Sequence, residues 1–256
     1  MTINDLLIFY AIYFFTMFIR VSYFHRHLTH QTIRYSKPMV VFIKTINWLT
    51  LVSKYDLYFE REFVATHSLH HQKPDVTGDP HSPYFTFTWP TFHIDRFNDE
   101  EAEKRTNHLV DLQPNGYDQF LSKLPGGFYL ILVPLTLIWG WKGVIAAFIF
   151  KQGKWFGGTL ANFVGHTFPG YTNAKLNNGA RNIPPYLMPL LVGEDLHGNH
   201  HKWANRANFA VRWWEIDIVY QILRILSWFG LVKILGDTKL ISTDNLKIEY
   251  KGWYTY

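Results

Sequence analysis

The 256-residue chain contains no cysteine. That absence excludes disulfides, thiolate zinc sites, iron–sulfur clusters and cysteine nucleophiles together. Any metal must then be held by nitrogen and oxygen donors. Charge is also scarce: Asp, Glu, Lys and Arg make up 18% of the residues, against about a quarter in soluble domains. The net charge is +5, but the basic residues are scattered, without the dense runs or reading motif of a nucleic-acid binder. A basic face against anionic lipid headgroups accounts for them more simply. No G-x-G-x-x-G opens a nucleotide site, no H-E-x-x-H marks a zinc protease, and no His-Pro-Gly-Gly signals a fused haem domain.

What the chain does have is apolar blocks and histidine. Hydrophobic residues make up 48% and aromatics 18%, a composition that leans towards a membrane protein. Residues 6–19 form an uncharged run ended by Arg20. A span needs about 20 residues, so 4–24 crosses only if Arg20 snorkels to an interface. The block 127–150 is broken at Gly140-Trp141-Lys142-Gly143, which predicts a hairpin whose second arm continues to about Leu160. Residues 38–59 and 219–235 read as amphipathic helices at the membrane surface. The stretch 72–125 is polar loop and short helix. The expected fold is an all-α integral membrane protein of one domain, 1–256. It has about three spans, 4–24, 126–139 and 143–161, with interfacial helices. A cytosolic helical cap is built from 25–125 and 162–256. The amino-terminal residues and the hairpin tip carry almost no basic residues, which makes the other side cytoplasmic.

Thirteen histidines are present, and most fall in clusters. They are His25-Arg-His-Leu-Thr-His30, His67-Ser-Leu-His-His71 and His197-Gly-Asn-His-His201, with Asn162-Phe-Val-Gly-His166 between the last two. Spacing i, i+3, i+4 puts three imidazoles on one helical face. The i, i+5 spacing of His25 and His30 fits one α-helical face poorly and predicts a helix end that unwinds past the membrane surface. A lone histidine is usually a surface or satisfied core residue, and His27, His81, His93 and His108 are left outside the cluster on that ground. Nine histidines exceed the needs of one ion and suit two, with four or five ligands each. Imidazole alone does not choose among iron, copper, zinc and nickel. If the clusters bind one centre, an even number of spans must separate them, which again favours the hairpin.

In combination these boxes resemble the integral-membrane fatty acyl desaturases, most nearly the acyl-CoA delta-9 type. The stretch Gly78-Asp79-Pro80-His81-Ser82-Pro83 is similar to that family's sequence, as are Arg181-Asn182, Gly193-Glu194 and Arg212-Trp213-Trp214-Glu215-Ile216-Asp217. The resemblance runs from about residue 17 to about residue 235. It implies that His25, His30, His67, His70, His71, His166, His197, His200 and His201 ligate two iron ions. It also implies that Asn162 holds a water on one of them. No catalytic residue beyond the metal centre is expected. Asp75, Asp79, Glu194 and Asp217 are candidates to accept hydrogen bonds from ligating histidines.

The implied reaction consumes dioxygen and inserts a cis double bond into a saturated acyl chain. The substrate is a fatty acyl thioester or lipid drawn from the membrane. Electrons come from a separate ferredoxin, rubredoxin-like protein or haem cytochrome with its reductase. The active site faces the cytoplasm, from a bacterial inner membrane or the endoplasmic reticulum. The sequence departs from the family pattern at Ser68, Gly198, Phe63 and Thr159, none of them a ligand. It has fewer residues before the first box than the family's usual further span requires. Two alternatives are a membrane di-iron hydroxylase acting on a lipid, sterol or carotenoid and, more distantly, a membrane metal-binding or transport protein.

Overall fold

The computed structural model describes residues 1–83, 97–241, 246 and 248–251. Helices dominate. α1 (Ile3–Ile19) continues without a break into a π-helix, Arg20–Thr29. Then follow β1 (Ile33–Tyr35), α2 (Lys37–Trp48), α3 (Tyr58–Gln72), α4 (Asp99–Thr106) and α5 (Gly116–Ser122). After α6 (Tyr129–Trp139) and α7 (Trp141–Thr167) come β2 (Gly170–Thr172), α8 (Met188–Leu191), α9 (His197–Lys202), α10 (Ile218–Trp228), β3 (Val232–Ile234) and β4 (Glu249–Lys251). The all-α expectation therefore needs one amendment. β1 pairs antiparallel with β3, and β2 with β4, as two small ribbons that tie the carboxy-terminal segment back onto the body. Such long-range pairing leaves little trace in the three-residue stretches themselves.

The helix Ile3–Thr29 is the one helix, among the described residues, that is both long and apolar enough to cross a membrane. It starts at a capping box, where the Thr2 hydroxyl accepts from the Asp5 amide at 3.3 Å and the Asp5 carboxylate accepts from the Thr2 amide at 2.5 Å. Asp5 also pairs with Lys142 at 2.7 Å. The start of α1 thus sits beside the α6–α7 turn, and α1 and α7 run in parallel from there towards the histidines. The turn itself is a single residue, Gly140, at φ 59°, a conformation that favours glycine. α6 has 11 residues, about 16 Å of helix.

α1 and α7 pack closely because α7 presents glycine to α1. A side chain at Gly157 would meet the Met17 sulfur and the Tyr13 hydroxyl, both at 2.5 Å. Small residues let two helix backbones approach in this way within membranes. Arg20 departs from the expected snorkelling. It is buried, its guanidinium lies over the Phe63 ring at 5.0 Å, and it fills the space left by the missing side chain of Gly158. α10 buries Val219, Tyr220 and Leu223 and exposes Ile225 and Trp228, the two-faced character expected of an interfacial helix.

Candidate metal centre

Each histidine box is placed by a different local device. α3 carries His67, His70 and His71, and α9 carries His197, His200 and His201. His166 lies in the last turn of α7, one turn after Asn162. The first box corrects the sequence reading. The chain does not unwind at His25 but forms a π-helix, and the His30 amide donates to the His25 carbonyl at 3.0 Å. An i→i+5 ladder stacks residues five apart, so the awkward spacing becomes a shared face.

The nine side chains form two groups, His25, His30, His67, His71 and His200 in one and His70, His166, His197 and His201 in the other. Within each group the candidate ligand atoms lie within 4.8 Å of one another. Each H-x-x-H-H box is divided between them. His67 and His71 join the first group while His70 joins the second; His197 and His201 join the second while His200 joins the first.

The contacts between ring nitrogens decide what the groups can do. The His200 Nε2 lies 2.8 Å from both His25 Nε2 and His71 Nε2, and His71 Nε2 lies 3.0 Å from His67 Nε2. In the second group, His201 Nε2 lies 3.3 Å from His70 and His166 and 3.1 Å from His197. A neutral ring nitrogen either donates or accepts, so hydrogen bonds cannot satisfy every contact in these runs. Three rings have their roles fixed from outside. His25 donates from Nδ1 to Glu194 at 2.8 Å, His70 to Asp79 at 2.7 Å and His166 to Asp75 at 2.7 Å. Their Nε2 atoms are therefore lone pairs pointing into the groups. The Nε2 of His30 is buried with no hydrogen-bond partner. A cation among such lone pairs satisfies them all, and the donor set fits a transition-metal centre.

Electrostatics agree. Burial, then the neighbouring imidazoles, pushes His67, His71, His200 and His201 well below the usual histidine range, so they are neutral donors. For Glu194, burial acts upwards, but the His25 ring beside it, then His197 and Arg20, outweigh it and hold the carboxyl down at about 2.

Asp217, expected beside a histidine, touches none. Its two carboxylate oxygens accept from the Arg26 Nη2, at 3.0 and 2.9 Å; the carboxylate also accepts from the Phe209 amide and, as the cap of α10, from the Tyr220 amide. Arg26 in turn lies 3.9 Å from the centroid of Phe209, whose ring packs on His200 at 4.5 Å. Asn162 donates to the His81 carbonyl at 2.6 Å, and its Oδ1 is buried without a partner. Of the histidines set aside, His27 is buried against Tyr23 and Tyr35, and His108 is exposed. His81 is buried with its ring 5.3 Å from that of His70 but belongs to neither group. His93 lies outside the described residues.

Sequence reasoning missed the clamp on α9. Asn199 is buried. Its side chain accepts from Asn173 and Asn182 at 2.8 and 2.9 Å and donates to the Phe209 carbonyl and Glu215, both at 2.9 Å. The only sequence hint was its place inside a histidine box. Two departures from the family pattern now have reasons. A side chain at Gly198 would meet the Arg181 Cα at 2.8 Å, and Phe63 stacks on the His67 ring at 5.6 Å. Nothing in the structure explains Ser68. Thr159 lines a cavity of about 550 Å³ that reaches His67 and His81.

Comparison with known proteins places the chain in a family. No family profile matches the chain. An Arabidopsis thaliana protein named Delta-9 acyl-lipid desaturase 1 is 31% identical over 236 residues, covering 88% of this chain and 71% of that one. The chain belongs to the fatty acyl desaturase family. A Synechocystis sn-1 stearoyl-lipid 9-desaturase is 29% identical over 220 residues, 82% of this chain and 64% of its own length. A Limnanthes douglasii icosanoyl-CoA 5-desaturase is 29% identical over 215 residues, 81% of this chain and 58% of its own. These desaturases are named for different carriers and different double-bond positions. The histidine groups are thus the candidate metal centre of a fatty acyl desaturase.

Proposed function

We propose that the chain is an oxygen-dependent desaturase that inserts a cis double bond into a saturated acyl chain, with two iron ions held by the nine histidines. The observation that carries this reading is the convergence of Nε2 lone pairs into one group of five and one of four. His25, His30, His67, His71 and His200 would hold one ion. His70, His166, His197 and His201 would hold the other, with Asn162 completing that shell through a water. The unpartnered Asn162 Oδ1 supports its role.

When bound, the iron pair supplies the oxidising power, drawn from dioxygen and external electrons, that an unactivated methylene requires. The protein's own residues position and insulate. Glu194, Asp79 and Asp75 fix the tautomers of His25, His70 and His166 and raise their basicity. Phe209 and Phe63 cover the outer faces of His200 and His67 and keep water away. The acyl chain enters the cavity beside His67, so the carbons to be oxidised lie against the first group.

The whole chain acts as one domain whose membrane part is α1, α6 and α7, the 11-residue α6 being shorter than a full crossing needs, and the centre faces the cytoplasm. The pairing of Asp5 with Lys142 supports this topology, because it puts the amino end and the hairpin tip on the same side, away from the histidines. The electron donor is a separate ferredoxin, rubredoxin-like protein or haem cytochrome. The test is expression in a host lacking unsaturated fatty acids, with metal analysis of the purified protein and mass spectrometry of the lipids. Two irons per chain and loss of two hydrogens are expected. Gain of an oxygen atom makes it a hydroxylase; zinc alone, with no activity after iron loading, removes the oxidative reading.

A further inference from the structure

Residues 182–193, between Arg181 and Glu194, carry no charge and include three prolines. The two ends of the stretch are tied together, the Ile183 amide donating to the Asp195 carbonyl at 2.7 Å. The segment therefore leaves the body of the protein and returns to it. Ile183 and Leu191 are buried against Ala161 and Val164 of α7. The outward side is apolar throughout: Pro185, Tyr186, Pro189 and Leu190 are exposed, Tyr186 at 77%. The return is tight, with Val192 and Gly193 at φ 49° and 83°, and Glu194, the partner of His25, follows at once.

The segment is fastened to α1. The Tyr10 hydroxyl donates to the Pro189 carbonyl at 3.0 Å and the Tyr13 hydroxyl to the Leu190 carbonyl at 2.5 Å. These tyrosines stand seven and ten residues after Ile3, about 10 and 15 Å along the helix. A crossing takes about 20 residues, so both belong to its interior. The Tyr13 hydroxyl also faces Gly157, inside the second span expected from the sequence.

Irregular backbone at such a depth is tolerated only where its polar groups have partners. Pro184, Pro185 and Pro189 have no amide hydrogen to satisfy. The Leu187 amide donates to the Pro184 carbonyl at 3.1 Å. In α8 the Met188 carbonyl accepts from Val192 at 2.8 Å and the Leu191 carbonyl from Glu194 at 3.2 Å. The Pro189 and Leu190 carbonyls are the two that the tyrosines take, so each of the four α8 carbonyls has a partner within the protein. A continuous apolar face over a satisfied backbone suits lipid, and an outward tyrosine suits the boundary of lipid and water.

We propose that residues 184–191 form a membrane-dipping loop, which enters the cytoplasmic leaflet beside α1 and lays Pro185, Tyr186, Pro189 and Leu190 against lipid acyl chains. The bilayer then supports the segment that delivers Glu194 to His25. The inference rests on the reading of α1 as a span.

The chain has no cysteine, so Tyr186→Cys gives a single site for a nitroxide label in the full chain in phospholipid nanodiscs. Paramagnetic resonance compares its collisions with oxygen, which concentrates in the bilayer, and with a water-soluble nickel chelate. Leu7→Cys, on the exposed side of α1, and Asn177→Cys, at an exposed position before the loop, are the lipid and water references. The label at 186 should follow the one at 7, with oxygen collisions in excess over nickel. Leu190→Cys carries the same expectation if Tyr186→Cys does not accumulate. Nickel in excess, as at 177, overturns the loop and leaves the span. Weak collisions with both reagents mean that protein, such as a second copy of the chain, covers the face, and they overturn the loop too. A label at 7 that itself reports water removes the span, and the loop with it.

Discussion

The two histidine groups are built from the same boxes but supported differently. The group of four has two rings fixed by carboxylates, His70 by Asp79 and His166 by Asp75. The group of five has one, His25 by Glu194. His67, a member of the five, borders the cavity, whereas no member of the four does. The comparison teaches a division of labour. One group is anchored, with its rings held by buried anions. The other borders the cavity through His67, with fewer tethers and aromatic cover instead.

Predictions follow that break or sharpen this contrast. His200 touches two partners of its group, so His200→Ala should reduce desaturation below detection while the protein stays membrane-inserted. Full activity, assayed by fatty acid analysis, would dissolve the group of five. Asp79→Asn should weaken metal binding about 10- to 100-fold, the usual effect of losing a carboxylate behind a ligating histidine. Metal titration should show that loss in one of two binding steps, and Glu194→Gln should affect the other. Identical titrations for the two variants would erase the distinction. Asn199 stands between His197 and His200, which belong to different groups. Asn199→Ala should lower stability by about 3 kcal/mol by stranding buried partners. Thermal unfolding in detergent checks this, and both binding steps should weaken together. His108→Ala is the control, with a change within about 0.5 kcal/mol and unaltered activity.

Much of this was legible because it is local. The spacing of H-x-x-H-H needs only helical geometry to bring three rings to one face, and Gly140 beside an apolar block is a turn signal. The rest depended on partners distant in sequence. Nothing in His25-Arg-His-Leu-Thr-His30 announces a π-helix; it holds because the packing of the whole body fixes both rings. Arg20 reads as a membrane-edge cation until the glycine at 158 is seen to make room for it. Asp217 reads as a histidine partner by its place in a motif, but Arg26, 191 residues away, claims it.

The crossed sharing of the boxes has a thermodynamic corollary. Because α3 and α9 each contribute to both groups, neither proposed ion can dock without ordering the helices that the other requires. Binding the first then lowers the entropic cost of the second, and linkage makes the effect reciprocal. Half-loaded protein should then be scarcer than two independent sites would leave it, with the second of the two binding steps tighter than it would be alone.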